Sequence, residues 1–126
     1  MNDTTESLIA HRSIRQFTNK EIDNELLVQL ISAGQAAASS SFLQGVTIIR
    51  ITDKHKRDKF SKLAGGQSQI ISAPEFLVFC ADLNRSTRCC HKHGTSPTEG
   101  FMEQFIIATV DTALYAQNVV VAAESK

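Results

Sequence analysis

The sequence predicts an α+β fold of alternating helices and short buried strands. Two apolar, β-branched-rich runs, 46–51 and 76–81, are typical of buried strands. Helical patterns surround them, and the last of these, over 97–125, is the longest and is apolar over most of its circumference. A chain of 126 residues with 42% hydrophobic residues suits a single domain, residues 1–126.

The first two helices are predicted from apolar spacing and a capping side chain. Residues 4–10 form a short first helix. Asp23 is an N-cap candidate for the second, whose apolar residues recur at helical spacing as far as Ala38. The hydroxyls of residues 39–41 then compete for backbone hydrogen bonds and loosen the helix end.

A third, charged helix is predicted between two turn signals. Asp53 caps its start, and Gly65 closes it shortly after Lys62. Its basic residues Arg57, Lys59 and Lys62 are expected to form a solvated face.

The long last helix is predicted to begin at a capping box, Ser96-Pro97-Thr98-Glu99, with proline at the first helical position. Asp111, Gln117 and Asn118 interrupt its apolar surface, which argues against a membrane span. Burial on several sides is expected instead. Because no C-cap residue follows the pattern, the fold is expected to be incomplete, truncated in or after this helix.

Composition and cysteine usage narrow the function classes. The formal net charge is zero, which argues against nucleic-acid binding, since that usually needs a basic excess. Residues 1–6 lack the features of a signal peptide. The odd set Cys80, Cys89 and Cys90 is expected to be reduced, so we expect a cytoplasmic protein.

The segment from His11 to Thr18 has the composition of a phosphate grip. Arg12 and Arg15 carry guanidinium forks that can donate pairwise to phosphate oxygens, and Ser13 adds a hydroxyl. In an extended conformation His11, Ser13 and Arg15 share one face. The alternative is a solvated loop anchored by Phe17.

A cysteine- and histidine-rich tract, 89–93, could in principle bind zinc. Structural zinc sites, however, place ligands two to four residues apart and use a second, distant pair, which this chain lacks. We therefore expect no metal there and an ordinary exposed segment. Motifs for nucleophilic hydrolysis or P-loop phosphoryl transfer are also missing from the sequence.

Six separated runs together carry a family resemblance. They are 11–15 (HRSIR), 38–44 (ASSSFLQ), 48–53 (IIRITD), 65–67 (GGQ), 79–82 (FCAD) and 110–113 (VDTA). In this order and spacing they resemble the oxygen-insensitive NADPH nitroreductases and related flavin reductases of the FMN-dependent nitroreductase superfamily. The resemblance covers the N-terminal half of a typical member and implies helices packed around a mixed sheet with a long central helix.

The resemblance also implies a set of FMN contacts. The matching positions are His11, Arg12, Ser13, Ile14, Arg15, Ser39, Gln67, Ser68 and Gln69. The first five would hold the phosphate and ribityl chain, with Arg15 near the pyrimidine end of the ring. A cation there would stabilise the negative charge that reduced flavin gathers.

Further roles follow from the same resemblance. Ser39 is expected to reach the cofactor from the partner subunit of a homodimer, and Gln67 to hydrogen-bond the ring edge. Ser41 and Phe42 match positions that line the substrate pocket.

The implied activity is two-electron reduction of a small-molecule substrate. NADPH would deliver hydride to FMN, and a nitroaromatic, a quinone or free flavin would then be reduced, with no side chain acting as a catalytic acid. The alternative is a truncated, non-catalytic fragment that acts at most as a dimerising or phosphate-ligand-binding module.

Overall fold

The computed structural model describes residues 3–98 and 100–126, and these form helices around one small sheet. The elements are α1 (Asp3–Ala10), α2 (Asn24–Gln35), a 3₁₀ turn (Ser40–Phe42), β1 (Val46–Arg50), α3 (Lys54–Leu63), α4 (Gln69–Ser72), β2 (Leu77–Ala81), α5 (Asn84–Lys92) and α6 (Met102–Glu124). The predicted first helix, both strands and the capped second and third helices are confirmed within one or two residues, except that α2 ends at Gln35 instead of Ala38.

The sheet of the described residues consists of β1 and β2 paired antiparallel. Val46 lies opposite Ala81, and Arg50 lies opposite Leu77. The described residues therefore contribute one antiparallel pair of strands. The chain enters β1 from the segment 39–45, and the segment 51–76 connects the other ends of the strands.

The core is built where α2 packs closely along α6. Gly34 makes the approach possible, because a Cβ there would lie 2.8 Å from Val119 Cγ2 and 3.3 Å from the backbone oxygen of Tyr115. Asn118 Nδ2 also donates to the Ala33 carbonyl at 3.1 Å. The buried apolar residues are Leu27, Leu30, Val46, Ile51, Ala108, Tyr115 and Val119.

The start of α6 differs from the predicted capping box. The helix begins at Met102, and Phe101 occupies the N-cap position without a side-chain hydrogen bond. Gly100 has a φ of +91°, which is left-handed and separates residues 96–98 from the helix. The box prediction was therefore wrong for Ser96 and Pro97, and Glu99 lies outside the described residues.

The surface of α6 is also more exposed than predicted. Large apolar side chains remain accessible at Phe105, Ile106, Val110, Leu114 and Val120. The helix is long and apolar enough to cross a membrane by length and composition alone. It nevertheless packs against α2 and both strands, as the core helix of a globular fold does.

Arg57 is buried, which corrects the prediction of a solvated basic face on α3. Only 7% of it is exposed, while Lys59 and Lys62 point to solvent. Its guanidinium donates to the carbonyls of Ile51, at 2.8 Å, Pro74, at 3.3 Å, and Ala73. These backbone acceptors satisfy the buried donors, so Arg57 joins α3 to both ends of the segment that connects the two strands.

The tract 89–93 is mostly helical, since α5 runs from Asn84 to Lys92 and was not predicted. Its residues are mostly polar, so no run of large apolar side chains marks it as a helix in the sequence. The cysteines at 80, 89 and 90 are free thiols. Within residues 3–98 and 100–126, three or more metal-ligating side chains do not come together.

Two carboxylates are held by local hydrogen bonds that favour their charged form. The Thr47 hydroxyl on β1 donates to Asp82 and is the main reason the pKa of Asp82 is below its ordinary 3.8. The backbone N–H of Lys56 donates to Asp53 at 2.9 Å and lowers the pKa of Asp53. In both cases the folded pKa is the lower one, so the stabilisation is complete above pH 3.8 and is lost as the pH falls through the folded pKa.

Replacing Thr47 with valine should raise the pKa of Asp82 toward 3.8 without disturbing β1, since valine keeps the β-branched shape. The variant should also lose less stability than the wild type between pH 4 and the acid transition. Carboxyl carbon chemical shifts followed against pH measure the change. Asp53 is the internal control, and an unchanged Asp82 pKa would contradict the assignment.

Candidate functional site

A buried carboxylate on α6 organises the loop that precedes β1. Asp111 is 2% exposed, and its Oδ2 accepts from Ser39 Oγ at 3.0 Å and from the Ser40 backbone N–H at 3.2 Å. Ser39 Oγ in turn accepts from the Gln44 backbone N–H at 2.8 Å. One acceptor position therefore remains on the Ser39 hydroxyl.

The same loop stores backbone strain. Ser41, Phe42 and Gln44 have φ angles of +50°, +55° and +52°, in the left-handed region that favours glycine. Such residues cost about 1–3 kcal/mol each and persist only where the surroundings hold them. The bonds to Asp111 supply that hold, and the Phe42 ring, 78% exposed, is presented to solvent.

The phosphate-grip segment is exposed from His11 through Lys20 and forms neither helix nor strand. His11 Nδ1 lies 2.7 Å from Glu124 Oε1 and ties the segment to the end of α6. Arg12 donates weakly to the nearby Ala10 and His11 carbonyls, at 3.2 and 3.4 Å. Among the described residues, Ser13 and Arg15 make no side-chain hydrogen bond or ion pair, so their donors are available.

A shallow cleft of about 450 Å³ lies beside this segment, and Ile14 is one of the residues that line it. The cleft is lined by Glu6, Ser7, Ala10, His11, Arg12, Ile14 and Glu124. It therefore joins α1, the grip and the C-terminal end of α6. The lining includes neither Ser39 nor Gln67.

The predicted ring-edge group lies between α3 and α4. The Gln67 carbonyl accepts from the buried Ser61 hydroxyl at 2.8 Å, which fixes the backbone. Its side-chain oxygen accepts from Gln69 Nε2 at 2.7 Å. Ser68 is exposed, so this segment offers amide and hydroxyl groups to a ligand.

The structure places the Ser39 loop apart from the other predicted contacts within one chain. Ser39 is bonded to Asp111 and His11 to Glu124, thirteen positions further along α6. At 1.5 Å per residue the two points are about 20 Å apart. Gln67 belongs to the connection at the opposite strand ends from the Ser39 loop.

Asp111 is the residue whose role sequence reasoning missed. In the sequence it interrupts the apolar helix surface and belongs to the run 110–113 of the family resemblance, but neither feature predicts its hydrogen bonds. The available signal was a lone carboxylate in an apolar helix, which requires buried donors, together with a serine triplet in need of acceptors.

A family model, the nitroreductase family, matches residues 8–126. The chain belongs to the nitroreductase family. It is 45% identical to the NADPH-flavin oxidoreductase of Vibrio harveyi and 43% identical to the oxygen-insensitive NADPH nitroreductase of Salmonella typhimurium, in each case over 99% of this chain and 50% of the relative. The chain thus spans about half the length of these curated relatives.

Solved structures agree with this assignment. The Vibrio harveyi NADPH:FMN oxidoreductase complexed with NAD+ superimposes with a TM-score of 0.92 at 44% identity, over 98% of this chain and 52% of that one. The predicted fold family is confirmed. The role of each predicted contact residue stays a prediction.

Replacing Asp111 with alanine should release the strained loop, because Ser39 Oγ and the Ser40 N–H lose their acceptor. The expected loss in the free energy of unfolding is about 3 kcal/mol, with faster amide exchange at Ser40 and Gln44. Urea unfolding and hydrogen exchange measure the two effects.

Asparagine at position 111 retains one acceptor and should cost about 1 kcal/mol. Thr109→Ala, an exposed change on the same helix, is the matched control. Unchanged exchange at Ser40 in the alanine variant would show that Asp111 does not hold the loop.

Proposed function

We propose that this chain supplies the FMN-holding residues of an NADPH-dependent oxidoreductase that reduces nitroaromatics, quinones or free flavin by two electrons. The family match and the names of the relatives support the general oxidoreductase activity. The observation that carries the proposal is the exposed grip, in which Ser13 and Arg15 keep their donors free.

The residues present fit the chemistry of FMN. The phosphate needs cationic and hydroxyl donors, and Arg12, Ser13 and Arg15 provide them within four residues of an accessible segment. His11 positions the segment through Glu124. The remaining contacts of the proposal are Ile14, Gln67, Ser68 and Gln69.

When bound, FMN supplies the hydride-accepting and hydride-donating chemistry. The chain contributes position and charge. The Arg15 guanidinium offers positive charge toward the pyrimidine end of the ring, and Gln67 offers an amide to its edge. Phe42 presents a flat apolar ring to an aromatic substrate beside Ser41.

The proposed assembly is a homodimer in which Ser39 reaches the cofactor held by the other copy. The separation of about 20 Å between the points where Ser39 and His11 meet α6 supports this arrangement, since one chain does not bring the two together. We place the protein in the cytoplasm, where free thiols and NADPH are maintained. Nucleic acid and membrane are not proposed as partners.

Arg15→Gln should weaken FMN binding by about 10- to 100-fold, because one charge-assisted contact is lost. Equilibrium dialysis with FMN measures the dissociation constant, and NADPH-dependent loss of nitrofurazone measures turnover. Arg88→Gln, the same change on exposed α5, is the matched control and should leave both values unchanged.

A preparation of the 126-residue chain that takes up no FMN and consumes no NADPH would contradict the proposal for this polypeptide. Equal weakening by the two arginine variants would contradict the role of Arg15 and indicate a general charge effect.

The second candidate is a non-catalytic dimerising or phosphate-ligand-binding module. The exposed apolar side chains of α6 favour it, since Phe105, Ile106 and Val110 form an accessible apolar surface.

Sedimentation velocity should show a dimer, and Ile106→Asp should shift it toward monomer because a charge would be buried at the contact. Glu103→Asp, on the same helix, is the conservative control. A dimer without FMN uptake supports this second candidate, and a monomer at all concentrations contradicts both candidates.

A further inference from the structure

A polar cleft of about 350 Å³ lies between α2, β1, α5 and α6. It is lined by the apolar residues Ile31, Val46 and Ile48 and by Gln35, Gln44, Arg85 and Tyr115, which carry hydrogen-bonding groups. The residues proposed to hold FMN do not line it. The cleft is therefore a separate feature of the fold.

Tyr115 brings a buried phenol without a partner to this cleft. The residue is 4% exposed, and its hydroxyl forms no hydrogen bond within the described part of the chain. Every fully enclosed side-chain nitrogen or oxygen of the described residues has a partner, so the hydroxyl must border open space. Tyr115 is one of the residues that line the cleft, and its phenol hydroxyl can donate a hydrogen bond to a ligand.

Arg85 adds a positive charge held in place. One of its Nη atoms donates to the Gln44 carbonyl, which anchors the guanidinium beside the cleft. Among the described residues its other N–H groups have no side-chain or carbonyl partner. Asp82, which precedes α5, offsets part of this charge but does not line the cleft.

We propose that the cleft binds a small organic carboxylate. The carboxylate would accept hydrogen bonds from the Arg85 guanidinium and the Tyr115 hydroxyl. Because guanidinium and carboxylate are both planar, they match each other in geometry better than guanidinium matches tetrahedral phosphate. The hydrocarbon body would pack against Ile31 and Ile48, which is why an inorganic anion fits less well. The cleft volume lies at the small end of the range for ligand-binding sites, so the ligand itself must be small.

The chain contains its own reporter for this cleft. Tyr115 is the single tyrosine, and tryptophan is absent from the sequence. Titration with cyclohexanecarboxylate at constant ionic strength should change the tyrosine fluorescence saturably, with a dissociation constant on the order of 1 mM. Cyclohexanecarboxamide, equal in shape but uncharged, and inorganic phosphate should each bind at least about tenfold more weakly.

Two variants distinguish specific binding at the cleft from a nonspecific effect of the protein's charge. Arg85→Gln should weaken binding at least about tenfold, whereas Arg88→Gln, with the same charge change on α5, should stay within about twofold. Tyr115→Phe removes only the hydroxyl and should weaken binding about fivefold by calorimetry, which needs no fluorescence. Thermal unfolding confirms that each variant is folded.

Three results would overturn the proposal: no saturable response to the carboxylate, equal weakening by the two arginine variants, or unchanged affinity of Tyr115→Phe. Tyr115→Phe keeps the test decisive if Arg85→Gln does not fold, because the aromatic packing remains. The titration contains no flavin, so its outcome is independent of the FMN proposal.

Discussion

The buried carboxylate of Asp111 is the interaction on which the arrangement of this chain depends. A carboxyl group in a nearly closed environment is costly unless its oxygens are hydrogen-bonded, and here the donors come from the Ser39 loop. The bonds hold left-handed residues that would otherwise relax. They also fix the point at which the chain enters β1. One side chain thus links the central helix, the strained loop and the sheet.

The close contact between α2 and α6 complements this link. Gly34 allows the two backbones to approach, and Leu27 and Leu30 of α2 are buried in the core. Arg57 performs a similar function at the other end of the strands, where its guanidinium donates to backbone carbonyls at the start and the end of the connecting segment 51–76. Polar groups with complete hydrogen bonding therefore set the relative positions of the elements, and apolar packing fills the space between them.

Local signals predicted most of the elements, and long-range contacts explain why the roles of Arg57 and Asp111 were missed. The β-branched run at 46–50 and the capping aspartates at 23 and 53 act within a few residues, so sequence sufficed. The burial of Arg57 depends on carbonyls up to 17 positions away. For the candidate site, the grip was visible as a cluster of donors, but Asp111 acts on residues 71 and 72 positions distant. Hydrogen bonds between Asp111 and residues so far away leave no pattern in the sequence near Asp111.

The contact between Asn118 and Ala33 spans 85 positions along the chain. Contacts between partners so distant along the chain carry a loop-closure entropy that must be overcome before the apolar surfaces are covered. During synthesis, the apolar face of α2 leaves the ribosome long before α6 has been made. The nascent chain must therefore keep that face from aggregating until α6 emerges, which makes the order of translation a determinant of folding yield.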